Sequence, residues 1–332
     1  MTRPRAIIAG TGSHLPPGRL TNDDLSKMVD TNDAWIVQRT GIRERRIVGP
    51  GESSATIGAS AARQALRSAG LDASDIDLVL LATITPEMIT PSTACFVAAE
   101  LGLNSTPAMD LNAACSGFLY AMDTAAAFIE AGRYRHVLVI GSETMSRITD
   151  FTDRGTCILF GDAAGAVVMS RGEASPSDKP RGLLYSSLHA DGTGWDFIHA
   201  KPGSRHPIDQ AMVESRDQYI KMRGRDVYKF AVQRFQEMLE DALARAELTV
   251  DDVTLVVPHQ VNQRIIDSAM EKSGISSSKA WVNLDRFGNT SAASIPVALD
   301  EAVKAGRLKA GDVAVFVAFG AGLTWANAVV RM

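Results

Sequence analysis

Three residues able to do acyl chemistry stand in short motifs of this chain. They are Cys115 in Ala113-Ala114-Cys115-Ser116-Gly117-Phe118, His259 in Pro258-His259-Gln260-Val261-Asn262, and Asn289 in Gly288-Asn289-Thr290-Ser291-Ala292-Ala293-Ser294. A thiolate attacks a carbonyl carbon and forms a covalent acyl intermediate, splitting one hard transfer into two easier ones. Histidine and asparagine can donate hydrogen bonds to an oxygen that gains charge. Near the C-terminus, Gly320-Ala321-Gly322 places small residues around exposed backbone N–H groups. With the N–H of Cys115, those groups are what an oxyanion hole needs. Each residue also has a plainer use: cysteine as a small buried hydrophobe, a histidine after a strand as a structural residue, asparagine beside glycine as a turn residue.

The surrounding elements must carry these residues to one place. Ala108-Met109-Asp110-Leu111 reads as a short strand entering a core. Phe118, Leu119, Met122, Ala126 and Ile129 then recur at helical spacing until Gly132. Cys115 is expected at the start of that helix, where unpaired N–H groups and the macrodipole stabilise a thiolate. Residues 77–82 and 136–140 read as strands buried on both faces, as in a parallel sheet, the second followed by Gly141-Ser142-Glu143. Residues 53–70 and 226–246 read as helices, 195–222 as an irregular excursion, and 173–181 as a linker. After a first strand, Gly10-Thr11-Gly12 invites a dinucleotide reading, but the third glycine is missing and Pro16 and Pro17 interrupt the required helix. A tight glycine turn is the expectation there.

The second half of the chain repeats the first. Ala65-Leu66 and the strand at Leu78 lie over Ala242-Leu243 and the strand at Leu255; Ala131-Gly132-Arg133 lies over Ala305-Gly306-Arg307. Carrying the last register back along the helix puts Cys115 over Asn289. The expected division is residues 1–172, carrying the cysteine, and 182–332, carrying His259 and Asn289. Ligands of parallel α/β sheets bind at the carboxyl ends of the strands, so the three residues should face one crevice.

Bulk properties narrow the class. The chain has 332 residues, 45% hydrophobic and 22% charged, with a net charge of −4, which excludes a broadly basic, nucleic-acid-coating protein. Its N-terminal apolar run is too short for a signal peptide and no stretch approaches membrane-spanning length, so the cytoplasm is the expected location. Three widely spaced cysteines argue against a disulfide framework, and no spacing suggests a metal site.

In combination, these four motifs resemble the ketoacyl-acyl-carrier-protein synthase III family of thiolase-like condensing enzymes, over nearly the whole chain. The resemblance implies a five-layered αβαβα fold, a homodimer, no permanently bound cofactor, and a two-stage reaction. Cys115 would take an acyl group from acyl-CoA. Malonyl on acyl carrier protein would then lose carbon dioxide, and the carbanion would attack the Cys115 thioester. His259 and Asn289 would hold the enolate oxygen; the N–H of Cys115 and the turn at Gly320, Ala321 and Gly322 would hold the tetrahedral intermediate. By the same resemblance, Trp35 and Arg154 sandwich the CoA adenine, Thr31 and Arg39 lie near its phosphates, and Arg225 lies near the pantetheine. Lys229 and Arg264 would dock the acidic carrier protein, with Lys221, Arg223 and Arg225 extending that patch. Thr90 of the partner subunit, Met145 and Phe160 would shape the acyl pocket.

Three residues depart from the family pattern: Arg225 replaces a common asparagine, Ala321 replaces a central glycine, and Thr90 replaces the phenylalanine of short-chain members. The last suggests a primer longer or more branched than acetyl. The alternative is a related ketide or secondary-metabolite condensing enzyme using malonyl-CoA or a dedicated carrier protein. Outside that class stand a cysteine hydrolase, which would release acid to water, and a nucleotide-binding module, which would not acylate Cys115.

Overall fold

The computed structural model describes residues 5–172 and 180–332, so residues 173–179 of the expected linker lie outside the described residues. Five strands form the first sheet: β1 (Ala6–His14), β2 (Leu78–Ala82), β3 (Ala108–Leu111), β4 (His136–Thr144) and β5 (Asp162–Arg171). Their order is β1-β5-β4-β2-β3, with β2 parallel to β3 and β4. The second sheet holds β6 (Gly182–Ala190), β7 (Leu255–Pro258), β8 (Val313–Gly320) and β9 (Thr324–Arg331), ordered β7-β8-β9-β6. Beyond β7, Val256 makes an isolated parallel bridge to Ala280, where β3 stands in the first sheet. The two halves therefore share one strand order.

Among the helices of the described residues, α1 (Asp33–Thr40) lies against another helix, and α2 (Ser54–Ala69), α3 (Thr93–Glu100), α4 (Gly117–Glu130), α5 (Gly224–Arg245), α6 (Gln263–Lys272) and α7 (Ser294–Lys304) flank the sheets. Strand alternation sorts the side chains between layers. Leu78, Leu80 and Ala82 join Leu255, Val257 and Phe316 around α4 and α7. Val79, Leu81, Leu138 and Ile140 face α2 and α3, while Val256, Val315 and Val317 face α5 and α6. The result is the αβαβα stack, with α4 and α7 as its middle layer. Having a sheet on each side, α4 buries far more than one stripe: Phe118, Leu119, Ala121, Met122, Ala125, Ala126 and Ile129. Each fully buried large side chain there stabilises the middle layer by about 1.5–3 kcal/mol. Among the described residues, no helix is long and apolar enough to cross a membrane.

Two expectations are corrected. Gly10 and Gly12 are not a turn, since both lie inside β1. A Cβ on Gly10 would stand 2.4 Å from Ala65 O and Ala69 N, and one on Gly12 2.4 Å from Ala61 O and Ala65 N. The glycines let α2 lie directly on the strand, which excludes the dinucleotide reading as well. The register of the halves also shifts. α4 begins at Gly117 and α7 at Ser294, so Cys115 lies over Ala292 and Asn289 precedes that position. The register taken from Ala131 fails because α4 has 14 residues and α7 only 11. About one helical turn is lost between the two landmarks.

Candidate active site

Cys115 lies in the 3-10 turn Ala114–Ser116 that leads from β3 into α4. A matching turn, Ser291–Ala293, opens α7. Each starts on a residue in the left-handed region, Ala114 at φ 48° and Ser291 at φ 49°, an uncommon conformation for residues with a side chain. The end of β8 closes against the cysteine turn. A Cβ on Gly320 would lie 2.6 Å from the Cys115 nitrogen, so a bare backbone is required there. Thr324 Oγ1 donates to Ala113 O at 2.8 Å and ties the 320–322 turn to the residues before the cysteine.

His259 follows β7 and is 1% exposed. Its N–H donates to Val317 O at 2.8 Å, and its ring packs edge-on against Phe319, the neighbour of Gly320. Nδ1 lies 2.7 Å from Ser294 Oγ at the start of α7. Burial lowers the imidazole to about 3, which keeps it neutral. In the tautomer where Ser294 donates to Nδ1, Nε2 carries the proton and is a hydrogen-bond donor. Asn289 is also buried, and its Oδ1 accepts the Ser291 N–H at 2.9 Å. That bond occupies the oxygen end of the amide, leaving NH₂ as the end to offer. Its backbone is pinned beside Phe160 by Asn289 N to Leu159 O at 2.8 Å and Gly161 N to Asn289 O at 3.1 Å. The 289–294 segment thus orients both donors, and its turn packs on the turn of Cys115.

The thiol departs from expectation. Cys115 keeps part of its surface open, yet burial pushes its thiol up to about 12, with the Ser291 hydroxyl opposing that rise and the Glu143 carboxyl adding to it. Burial dominates that balance and favours the thiol over the stabilised thiolate the sequence suggested.

Around this centre, α1 presents Trp35 with Arg154 at 4.2 Å and Arg39 at 4.8 Å from its ring centre. Trp35 and Arg154 are thus together but in direct contact, so a base between them requires the exposed Arg154 to swing away from Trp35 and Asp30. Thr31 Oγ1 is a buried hydroxyl without a partner beside α1. Arg225 and Lys229 are exposed one turn apart on α5. Arg264 on α6 lies 5.9 Å from the ring centre of Tyr228, and Asn262 donates to Arg39 O at 2.9 Å, which makes these basic residues neighbours of α1. Arg223 does not extend the patch, because Asp196 and Asp226 pair with it at 2.9 and 2.7 Å. Lys221 lies in a two-residue strand, Lys221–Met222. Met145 and Phe160 form one apolar cluster with Ile220. Thr90 does not join them within the chain; it is exposed, next to the 99% exposed Ile89.

Residues 109–192 match the family description 3-oxoacyl-[acyl-carrier-protein (ACP)] synthase III, and residues 243–332 match its C-terminal counterpart. A beta-ketoacyl-[acyl-carrier-protein] synthase III from Caldanaerobacter subterraneus subsp. tengcongensis is 47% identical, covering 98% of this chain and 97% of its own length. The chain belongs to the beta-ketoacyl-[acyl-carrier-protein] synthase III family. Among solved structures, the 3-oxoacyl-[acyl-carrier-protein] synthase III of Aquifex aeolicus VF5 superposes with a TM-score of 0.90 at 44% identity, covering 98% of this chain and 100% of that one. The priming beta-ketosynthase of the R1128 polyketide pathway superposes with a TM-score of 0.89 at 37% identity, covering 99% and 97%. The chain is accordingly a condensing enzyme of the acyltransferase type, with the thiolase-like fold.

Sequence reading named the three central residues but gave no role to those that brace the turns around them: Ser291, Ser294, Thr324 and Glu143. Both Ser291 and Ser294 stand in the motif around Asn289, where a hydroxyl beside a helix start was the available signal. Glu143 offered none. It follows the strand expected over 136–140, whereas β4 runs through it to Thr144 and buries it completely.

Proposed function

We propose that this protein condenses an acyl-CoA primer with malonyl carried on acyl carrier protein, through an acyl–Cys115 intermediate, and so initiates fatty acid synthesis. The observation that carries the proposal is that a neutral His259 and an oriented Asn289 are both fixed by the segment packed on the Cys115 turn. In the first stage the Cys115 sulfur attacks the acyl carbon, and the N–H of Cys115 with the Gly320, Ala321 and Gly322 turn holds the oxyanion. CoA then leaves. In the second stage His259 Nε2 and the Asn289 amide donate to the malonyl thioester oxygen as carbon dioxide departs. The carbanion attacks the acyl carbon and frees the cysteine. A neutral imidazole suits this task because it remains a donor without adding a buried charge. Acyl-CoA is a substrate, and no resident cofactor takes part.

CoA is held by Thr31, Trp35, Arg39, Arg154 and Arg225, with the adenine displacing Arg154 from the Trp35 face. The carrier protein docks on Lys229 and Arg264. Met145 and Phe160 line the primer pocket, closed by Thr90 of a second copy. Homodimer formation is supported by β3, which ends the first sheet as an edge strand with Met109 exposed, and by the exposed Met88 and Ile89. The two halves, 1–172 and 182–332, act as one catalytic unit in the cytoplasm.

Intact-mass analysis after mixing with a panel of acyl-CoA thioesters should show an acyl group on Cys115, favouring primers longer or more branched than acetyl. Addition of malonyl–carrier protein should then yield a ketoacyl product. An unmodified cysteine, or release of free acid alone, would sink the proposal. The likeness to a priming ketosynthase of a polyketide pathway supports a second reading, a dedicated ketide-priming enzyme. Preference for malonyl-CoA or for a pathway-specific carrier protein would select it.

A further inference from the structure

Away from the reaction centre, one buried carboxylate ties the two halves together. Asp150 lies just past the 3-10 turn Met145–Ile148 and is 3% exposed. Arg216, from the irregular excursion of the second half, meets it with both prongs of its guanidinium. Nε donates to Oδ2 at 2.8 Å and Nη2 to Oδ1 at 2.7 Å. Two bonds of this kind fix direction as well as charge. The guanidinium holds the Asp150 carboxyl well below the ordinary carboxylate range, against the effect of burial. Arg216 also stands where its type is unusual. It follows the short helix Gln210–Glu214 and its cap Ser215 at φ 58°, and the N–H groups of Arg216 and Asp217 close that helix on Val213 O and Met212 O. Glycine is the common choice for such a left-handed position. An arginine held there is strained, and the paired guanidinium offsets that strain.

The same carboxylate shapes the turn beyond it. Its Oδ1 accepts the Thr152 N–H at 2.9 Å and the Thr152 hydroxyl at 2.7 Å, while Asp150 O accepts the Asp153 N–H at 3.0 Å. Asp153 then caps the residues that follow, taking the Gly155 N–H at Oδ1 and the Thr156 hydroxyl at Oδ2, each at 2.8 Å. Arg154, whose guanidinium lies over the Trp35 ring, stands between these two anchors. Its side chain is exposed and meets the exposed Asp30 at 3.7 Å, a weak surface pair, so its placement depends on the backbone of the turn. The excursion is also fastened at a second point, where Ile220 N donates to Ile148 O at 2.8 Å and the Ile220 side chain packs with Met145 and Phe160. That second point bears on the primer pocket; the charged one bears on the Arg154 turn.

We propose that Arg216 is a positioning residue for the nucleotide end of acyl-CoA: through Asp150 it fixes the turn that carries Arg154, an inference that rests on the function proposed above. Arg216 touches neither substrate nor reacting atoms. Its contribution is to hold the turn ready before CoA arrives, so that binding does not have to order it. The pair therefore acts on substrate affinity and leaves the chemical step alone. Because the pantetheine and the thioester lie beyond the reach of Arg154 in this arrangement, the effect belongs to the nucleotide and is absent from a substrate that lacks one.

The test compares acyl-CoA with the matching acyl-pantetheine, which carries the same thioester without the nucleotide, in wild type, Arg216→Ala, Arg216→Lys and Asp150→Asn. Arg216→Ala should raise KM for acyl-CoA by about 10-fold, the cost of ordering one or two side chains on binding, with little change in kcat. KM for acyl-pantetheine should stay where it was. Arg216→Lys should fall between, since an ammonium keeps the charge and loses the two-pronged contact. In an Arg154→Ala background, Arg216→Ala should add nothing. A folded variant with unchanged KM for acyl-CoA would overturn the inference. So would an equal loss with both thioesters, the result expected if the pair served only stability or the Ile220 wall. Should Arg216→Ala melt out because it leaves a buried carboxylate alone, Asp150→Asn decides, since it removes that charge and keeps an oxygen for the Thr152 N–H. A wild-type enzyme that does not distinguish acyl-CoA from acyl-pantetheine would instead defeat the CoA site on which this rests.

Discussion

Replacing Gly320 by alanine should uncouple folding from acyl transfer. The new Cβ would lie 2.6 Å from the Cys115 nitrogen, 3.1 Å from its Cβ and 3.2 Å from the Ala114 Cβ. The first neighbour is backbone, so it cannot rotate away as the end of a long side chain would. Restoring ordinary contact requires the cysteine turn to retreat by somewhat less than about 1 Å, a displacement that costs on the order of 10² in rate when it misplaces a reacting group. Overpacking of this size also destabilises by about 1–3 kcal/mol, which a protein of ordinary stability survives. The assay is single-turnover acylation of Cys115 by intact mass beside a melting curve, with malonyl decarboxylation as an internal comparison, since Ser294 meets the His259 ring and Ser291 N–H holds the Asn289 amide from outside β8. Acylation should fall about 100-fold while decarboxylation falls much less. A folded variant that acylates at the wild-type rate would show that the close approach of β8 to the cysteine turn has no catalytic consequence.

Other outcomes follow from the same geometry. His259 is lowered from 6.5 to about 3 by burial, so below about pH 6.5 the unfolded chain binds a proton that the native state refuses. Stability should therefore fall as pH drops from 6.5 toward 3, by on the order of a few kcal/mol, and His259→Gln should flatten melting temperature across that window. An identical slope in both proteins would assign the acid sensitivity elsewhere. Trp35→Ala should raise KM for acyl-CoA by about 10–100-fold with little change in kcat, because base stacking is worth roughly 1–3 kcal/mol; an unchanged KM would remove Trp35 from the CoA site. Exchanging both Lys229 and Arg264 for glutamate should weaken carrier-protein binding and erase its dependence on ionic strength, and a salt-insensitive wild type would refute that docking face.

Several features were readable before any coordinates because they are local. The fully apolar strands at Leu78 and Leu255 announce sheets covered on both faces, and α2 carries its own signals, with a capping box at Ser53 and a left-handed Gly70 at its end. Cys115, His259 and Asn289 each have a plainer use alone and stood out only together, in motifs at strand ends of two similar halves. Other readings failed because their answer lay far along the chain. Gly10 and Gly12 looked like a turn until α2 was seen to rest on them, and the register of the halves depended on a turn missing from α7.

By itself, then, the sequence determined the strands buried on both faces, the likeness of the two halves and which side chains are equipped for acyl transfer, since periodicity and residue chemistry act over a few neighbours, while the five-layered stack came with the family resemblance. The tertiary structure alone decided protonation and aim: a thiol instead of a thiolate at Cys115, a neutral ring at His259, Ser294 as its partner, and Glu143 against Ala292. The physical reason is that desolvation and hydrogen bonding depend on what the fold brings alongside, and the groups concerned come from opposite halves of the chain.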